Sequence, residues 1–402
     1  MNYLMADYTT TRARTLELVA SLSAEDCCAQ SMPDTSPAKW HLAHTTWFFE
    51  TFVLEAHEVG FQPFHAAFRV IFNSYYNQVG DKHPRGQRGL LTRPTLGEVK
   101  EYRANVDARM GRLMESASLV QALRELITLG LQHEQQHQEL LLTDIKHLFS
   151  CSPLHPRYAL PVSTLVDRPS QGGEPMWLPM DAGLAKIGHA GDGFCFDNEL
   201  PQHSVFAQAC ALRSHLVSNA EYLAFVQDGG YTNPAHWLSE GWEWLHQQAR
   251  VAPLYWQQEA GRWMEFTLHG LQPLRLQGTV LHVSYFEADA YARWAGARLP
   301  TETEWELGVA RYAECGTEDM AQVFDTAWQW TQSSYTAYPG FRAATGAVGE
   351  YNGKFMVNQY VLRGGSSATP AGHSRKTYRN FFPAGTCWQF SGIRLARDGD
   401  CA

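Results

Sequence analysis

Apolar positions in the first part of the chain recur every three to four places, the rhythm of helices with one buried face. Between Thr10 and Ala24 they are Leu16, Leu18, Val19 and Leu22. Ser36 followed by Pro37 predicts a helix start, serine as cap and proline in the first turn, and this helix runs through about His57. Thr95 and Glu98 have the spacing of a capping box, and behind them Val99, Tyr102, Val106, Met110 and Leu113 form one inward stripe. A fourth long helix is predicted from about Ser118 to Phe149. Four long helices with short or medium connections predict a bundle over residues 1–150.

The pattern then changes. Cys151–Gly173 is rich in Pro, Ser and Gly and predicts a linker or extended wrap over residues 151–173. From Glu174 to Ala402 apolar runs are short, glycines and aromatics are dense and turn signals recur. Tyr285–Gly296 and Ser218–Gln227 are the helical stretches in this half. The fold class is therefore α+β: a helical bundle followed by an irregular α+β domain over residues 174–402.

Composition narrows the function. The chain has 402 residues, room for two domains. Charged residues are only 18%, against long disordered tails, and the net charge of −9 comes without any Lys/Arg-rich run, against a nucleic-acid partner. No apolar stretch is long enough for a membrane span, and MNYLMADYTTTRAR carries no signal-peptide core. The expectation is a soluble cytoplasmic protein. Its eight cysteines form no C-x-x-C pair, so reduced thiols are expected rather than a disulfide framework.

The strongest chemical signal is His133-Glu-Gln-Gln-His137. On a helix this spacing puts both imidazoles on one face, about 6 Å apart along the axis. That face continues from Leu123, Ile127 and Gly130 to Leu140, Leu141 and Asp144. Two imidazoles pointing into a core need partners for their nitrogens. A metal ion supplies them; hydrogen bonds to core neighbours are the plainer alternative. A third ligand can come from Lys39-Trp-His-Leu-Ala-His-Thr-Thr-Trp, where His44 shares a stripe with Trp40, Trp47, Phe48 and Thr51, and His41 lies three residues earlier. Three histidines leave positions open for substrate or O2.

HEQQH also fits the H-E-x-x-H zinc-protease motif. The downstream third ligand is missing, however: Thr143 stands where one class needs His, and 151–173 contains no Glu. Arg85 and Arg88, in a loop with Pro and Gly, can grip a carboxylate or simply be solvated. Tyr75 and Tyr76 can supply a phenol to a reaction centre, or pack.

SPAKWHLAHTTWFFETFVL, FNSYYNQVGDKHPRGQRGLLTRP and HEQQHQELLLTDIKH resemble the N-terminal DinB-like domain of ergothioneine sulfoxide synthases, in the branch with a Tyr-Tyr motif. FDNELPQH, VSNAEYLAFVQDGGY, HVSYFEADAYARWAGARLPTETEWE, WQWTQSSYTAYPGF, LRGGS, YRNFF and WQFSGIRLARD resemble their C-terminal domain, which shares the fold of formylglycine-generating enzymes. The stretches cover nearly the whole chain. The resemblance implies Fe(II) held by His44, His133 and His137, with O2 as cosubstrate. It implies that the imidazole of hercynine, the trimethylbetaine of histidine, is joined at C2 to the sulfur of cysteine or γ-glutamylcysteine as a sulfoxide. Gln136 and the strip Asn380, Phe381 and Phe382 correspond to residues around hercynine. Arg85, Arg88 and Asp34 correspond to residues of the sulfur-donor pocket. Tyr75 and Tyr76 are put forward for proton delivery. Phe381, Phe382 and Trp388 offer faces to a trimethylammonium.

Two departures stand out. Cys387 occupies a place where relatives often carry Arg, which bears on the choice of donor. The second domain also lacks the close cysteine pair of formylglycine-generating enzymes, so their oxidation of a sulfatase cysteine is not implied. A related ovothiol- or selenoneine-type synthase, a zinc hydrolase or thiol transferase, and a binding module are the competing readings.

Overall fold

The computed structural model describes residues 3–115, 120–158, 175–314 and 319–399. Most of the expected linker, 159–173, and the expected helix start at Ser118 lie outside the described residues. Two compact units emerge. One comprises Met1–Pro161 with Leu268–Gly270 and Thr345–Tyr351; the other comprises Val162–Thr267, Leu271–Ala344 and Asn352–Ala402.

In the first unit, α1 spans Tyr3–Leu18, earlier than the apolar rhythm of 10–24 predicts. Its inward positions are Tyr8, Thr11, Arg12, Thr15 and Leu18, a half-polar face that a hydrophobic pattern misses. Helix α2 (Ala38–Phe48) follows Pro37, which takes the cap position. Ser36 does not cap it. Its hydroxyl accepts from Arg88 at 2.8 Å, and its N–H donates to the Asp144 carboxylate at 2.8 Å. The helix continues through a wider π turn (Phe49–Leu54) into α3 (Glu55–His57). A short α4 (Phe68–Ile71) precedes α5 (Leu96–Glu115). The Thr95/Glu98 capping box is made: the Thr95 N–H and hydroxyl donate to the Glu98 carboxylate at 2.7 and 2.8 Å, and the Glu98 N–H donates back at 3.2 Å. Val99, Tyr102, Val106 and Met110 are buried as expected; Met114 rather than Leu113 completes the face.

Helix α6 (Gln121–Ser150) packs against α1 and α2, and α2 also packs against α5. Gly130 makes the closest approach possible. A Cβ there would stand 2.6 Å from the Phe49 ring, which opens the π turn, and 2.9 Å from that of Phe48 at the end of α2. Such turns collect at functional sites, and this one lies beside the helical turn that precedes His133.

The second unit has the α+β character read from the sequence. Its strands are β1 (Trp177–Met180), β2 (Gly183–Ile187), β3 (His203–Ala207), β4 (Cys210–Arg213), β5 (Trp256–Glu259), β6 (Arg262–Thr267), β7 (Gly270–Pro273), β8 (Ala327–Ser334), β9 (Tyr360–Gly365), β10 (Asn380–Phe382), β11 (Ser391–Gly392) and β12 (Ala396–Asp398). They form sheets in the orders β1-β4-β12, β10-β9-β8-β11, β2-β3 and β5-β6-β7. Helices α7 (Asn219–Gln227) and α9 (Tyr285–Trp294) occupy the two expected stretches, capped by Ser218/Glu221 and Ser284/Glu287 boxes. Helices α8 (Ser239–Gln247) and α10 (Glu302–Tyr312) are additional. Leu178, Met180, Cys210 and Leu212 pack with Trp305 and Val309 of α10 into one apolar core. No described helix is long and apolar enough to cross a membrane.

Candidate metal centre

Helices α2 and α6 bring His44, His133 and His137 together. Each offers a ring nitrogen, and these atoms all lie within 4.8 Å of one another. The His44 and His133 Nε2 atoms are 3.2 Å apart. Ring centroids stand 4.9 Å apart for His44–His133, 4.7 Å for His44–His137 and 4.6 Å for His133–His137. Burial pushes all three imidazoles toward the neutral form, His133 down to about 3, with His44 and His137 well below their usual range. A neutral imidazole carries the lone pair that a metal needs.

Hydrogen bonds orient these lone pairs. His44 Nδ1 lies 2.6 Å from the carbonyl oxygen of Phe72, which only accepts, so Nδ1 carries the proton and Nε2 faces the cluster. Trp40 and Trp47 stack on the His44 ring at 4.5 and 5.5 Å, fixing its plane. His41 is not part of the cluster; it hydrogen-bonds to His137 from behind. His133 Nδ1 is buried with no hydrogen-bond partner among the described residues, a polar atom with no protein group to explain its burial. Three neutral imidazoles with ring nitrogens within 4.8 Å of one another, His44 held with Nε2 inward, fit a mononuclear divalent transition metal with open positions.

Glu134 points elsewhere. Its fully buried carboxylate accepts from Arg12 at 2.9 Å, from Arg103, and from the Thr15 hydroxyl at 2.6 Å. Burial alone would raise its pKa, but the Arg103 and Arg12 guanidiniums outweigh that and hold it at about 2. The Glu of the H-E-x-x-H match is thus committed to an ionic layer between α1, α5 and α6 and is not a general base.

The DinB superfamily model matches residues 7–141, and the sulfatase-modifying factor enzyme 1-like domain model matches residues 163–319. A "Hercynine oxygenase" of Mycobacterium tuberculosis is 30% identical over 430 aligned positions, covering 96% of this chain and 96% of that protein. This chain belongs to the hercynine oxygenase family. The family's protein from Mycolicibacterium thermoresistibile is 29% identical and covers 97% of this chain. "Ergothioneine biosynthesis protein 1" of Schizosaccharomyces pombe is 28% identical over 51% of this chain and 28% of its own length.

The other residues singled out in this hercynine oxygenase family member are distributed as follows. Gln136, on α6 between two of the histidines, accepts a hydrogen bond at Oε1 from the Tyr351 hydroxyl. Tyr351 also sets its ring edge-on to His133 at 5.6 Å. No local pattern marks Tyr351, which lies 215 positions further along the chain. Tyr75 and Tyr76 stack at 4.5 Å, and the Tyr75 hydroxyl donates to that of Tyr76 at 3.4 Å. Tyr76 is fully buried against Trp47 and Phe52.

Arg85 and Arg88 part company. Arg85 is exposed and donates to the Asp34 backbone carbonyl; the Asp34 residue is exposed too. Arg88 is only 3% exposed. It donates to the Ser36 hydroxyl at 2.8 Å and the Ser74 hydroxyl at 3.2 Å, and its Nε has no partner among the described residues. Burial, reinforced by the Arg85 charge, pushes it down to about 9.

In the other unit, Asn380, Phe381 and Phe382 form β10, half-buried and antiparallel to β9. Phe381 stacks on Tyr335 at 4.0 Å. Cys387 is buried 3.7 Å from an Arg250 nitrogen, and burial pushes its thiol up to about 12. It is a core thiol in contact with a guanidinium.

Proposed function

We propose that this oxygenase joins the sulfur of cysteine or γ-glutamylcysteine to C2 of the hercynine imidazole with O2, using Fe(II) held by His44, His133 and His137. The observation that carries the reading is the convergence of three neutral imidazoles in a chain that aligns with a named hercynine oxygenase over 96% of both lengths. The balance is simple: C–H and S–H are lost, a C–S bond and an S=O bond form, and O2 supplies one oxygen to the sulfoxide and one to water. Ferrous iron at this site would bring the two substrates and O2 together and pass electrons between them.

The chain's own residues do the rest. Gln136, oriented by Tyr351, supplies a polar partner to the hercynine ring. Arg88 is a buried cation whose hydrogen-bond partners are neutral hydroxyls, so a donor carboxylate completes its charge pairing, with Arg85 at the exposed side. The Tyr75–Tyr76 pair offers two linked phenols for a proton. Asp34 belongs to the donor side, and the strip Asn380, Phe381 and Phe382 of the second unit offers aromatic faces that suit a trimethylammonium.

The test is direct. The Fe(II) protein is incubated anaerobically with hercynine and cysteine, O2 is admitted, and products are read by mass spectrometry and NMR. A sulfoxide bonded at imidazole C2 is expected. Bonding at C5 points to ovothiol-type chemistry. No O2 consumption with any betaine–thiol pair, together with activity with Zn(II), overturns the reading in favour of a hydrolase or thiol transferase.

A further inference from the structure

Behind His137 runs a chain of buried polar groups that the reaction scheme does not use. His41 Nδ1 is 2.8 Å from His137 Nδ1. On its other side, His41 Nε2 is 3.0 Å from Asp144 Oδ2. That same oxygen accepts the Ser36 N–H at 2.8 Å. His41, Asp144 and His137 are all at most 9% exposed, so bulk water does not compete for these bonds.

With a single ring hydrogen on His41, proton counting along the chain gives one consistent arrangement. The Asp144 oxygen accepts, so His41 Nε2 carries a hydrogen and donates it. A neutral His41 then has a lone pair at Nδ1. The 2.8 Å contact therefore requires His137 Nδ1 to be the donor, and His137 is left with its lone pair at Nε2. The alternative tautomer of His137 would set two lone pairs against each other at Nδ1 and place a hydrogen on Nε2, where a metal would have to bind.

We propose that Asp144 and His41 are positioning residues for the metal: through their hydrogen bonds they hold His137 as its Nδ1–H tautomer and aim Nε2 at the ion. His41, the other histidine of the Trp40-His-Leu-Ala-His run, is an orienting group and not a fourth ligand. The inference rests on the reading of His44, His133 and His137 as the metal site. His44 is oriented in the same sense by the Phe72 carbonyl, whereas His133 has no such partner among the described residues. Two ligands are thus set before the metal arrives. Partners behind a metal-bound histidine fix its tautomer and raise its basicity, and their loss typically costs about 10–100-fold in metal affinity.

Two measurements test it. The first uses the unaltered, metal-free protein labelled with 15N-histidine. The His137 signals, assigned by their loss in His137→Ala, should show a protonated Nδ1 and an unprotonated Nε2; a protonated Nε2 overturns the proposal without any substitution near the relay. The second compares Co(II) and Fe(II) dissociation constants, by chelator competition, for the wild type, His41→Phe and Asp144→Asn. Affinity should fall about 10–100-fold in His41→Phe and by a smaller factor in Asp144→Asn, with the Co(II) visible spectrum altered. Wild-type affinity and spectrum in both variants would sink the relay. His137→Ala separates the two levels of the argument: if it keeps wild-type metal affinity, the site itself is misread, whereas its loss of metal alongside unaffected relay variants removes only the positioning role.

Discussion

Arg88 lays its guanidinium 3.4 Å from the ring centre of Trp40, on a residue that also stacks on His44. A buried cation is thereby packed through one indole to a proposed metal ligand. Replacing it with leucine removes the charge and two hydroxyl contacts but keeps bulk against the indole. Hydrogen bonds to charged groups are worth about 1.5–3 kcal/mol, so Arg88→Leu should raise the sulfur donor's KM about 10–100-fold and leave hercynine's within about twofold. Equal increases for both substrates would show that Arg88 is not in the donor pocket.

Tyr351→Phe should do the converse. It removes the hydroxyl that donates to Gln136 and leaves the ring beside His133. Loss of one hydrogen bond of about 1 kcal/mol predicts a severalfold higher KM for hercynine. The donor's KM serves as the internal control, and a change confined to the donor would contradict the assignment.

Glu134→Gln separates an oxygenase from an H-E-x-x-H hydrolase. Here the carboxylate neutralises Arg12 and Arg103 in the bundle core. Breaking such a buried pair costs about 3–5 kcal/mol. The variant should show a clearly lower thermal midpoint by circular dichroism. A folded variant of native stability that lacked only turnover would support a catalytic glutamate instead.

Gly130→Ala adds one methyl where no room exists, against the Phe48 and Phe49 rings. Overpacking typically costs about 1–3 kcal/mol. Because His133 follows within one helical turn, reduced metal content should accompany the lower melting temperature, measured by metal analysis after gel filtration.

The buried His373, held down to about 3 by burial, predicts a pH effect in the second unit. Its unfolded value is near 6.5, so below that pH the unfolded chain takes up a proton that the folded one refuses. Stability is complete above about 6.5 and declines as pH falls toward 3. At pH 5 the loss is on the order of 2 kcal/mol. In urea titrations of His373→Phe, the difference between pH 7.5 and pH 5 should shrink by about that amount.

Helical periodicity made the His133–His137 pair legible, because imidazoles four apart on an apolar stripe share an environment; the choice of His44 over His41 came from the family resemblance. Local capping signals were equally readable at Thr95/Glu98. The same signal at Thr301/Glu304 marks α10, which the apolar pattern left out. Failures arose where distant groups compete for a local signal. Ser36 has the right type and place for a cap, but Arg88 and Asp144 claim its hydroxyl and N–H. The burial of Arg88, the turning of Glu134 into an ionic layer and the approach of Tyr351 to Gln136 depend on contacts between segments far apart in the chain, and no spacing rule encodes them.

The grouping of Thr345–Tyr351 with the helical unit has a consequence for how this protein is made. A ribosome emits helices α1 to α6 early, yet Tyr351 leaves it only near the end of translation. Any attempt to express the bundle as a free-standing fragment would yield helices and histidines without that phenol. Splitting the gene at the apparent border between the halves would carry the same defect.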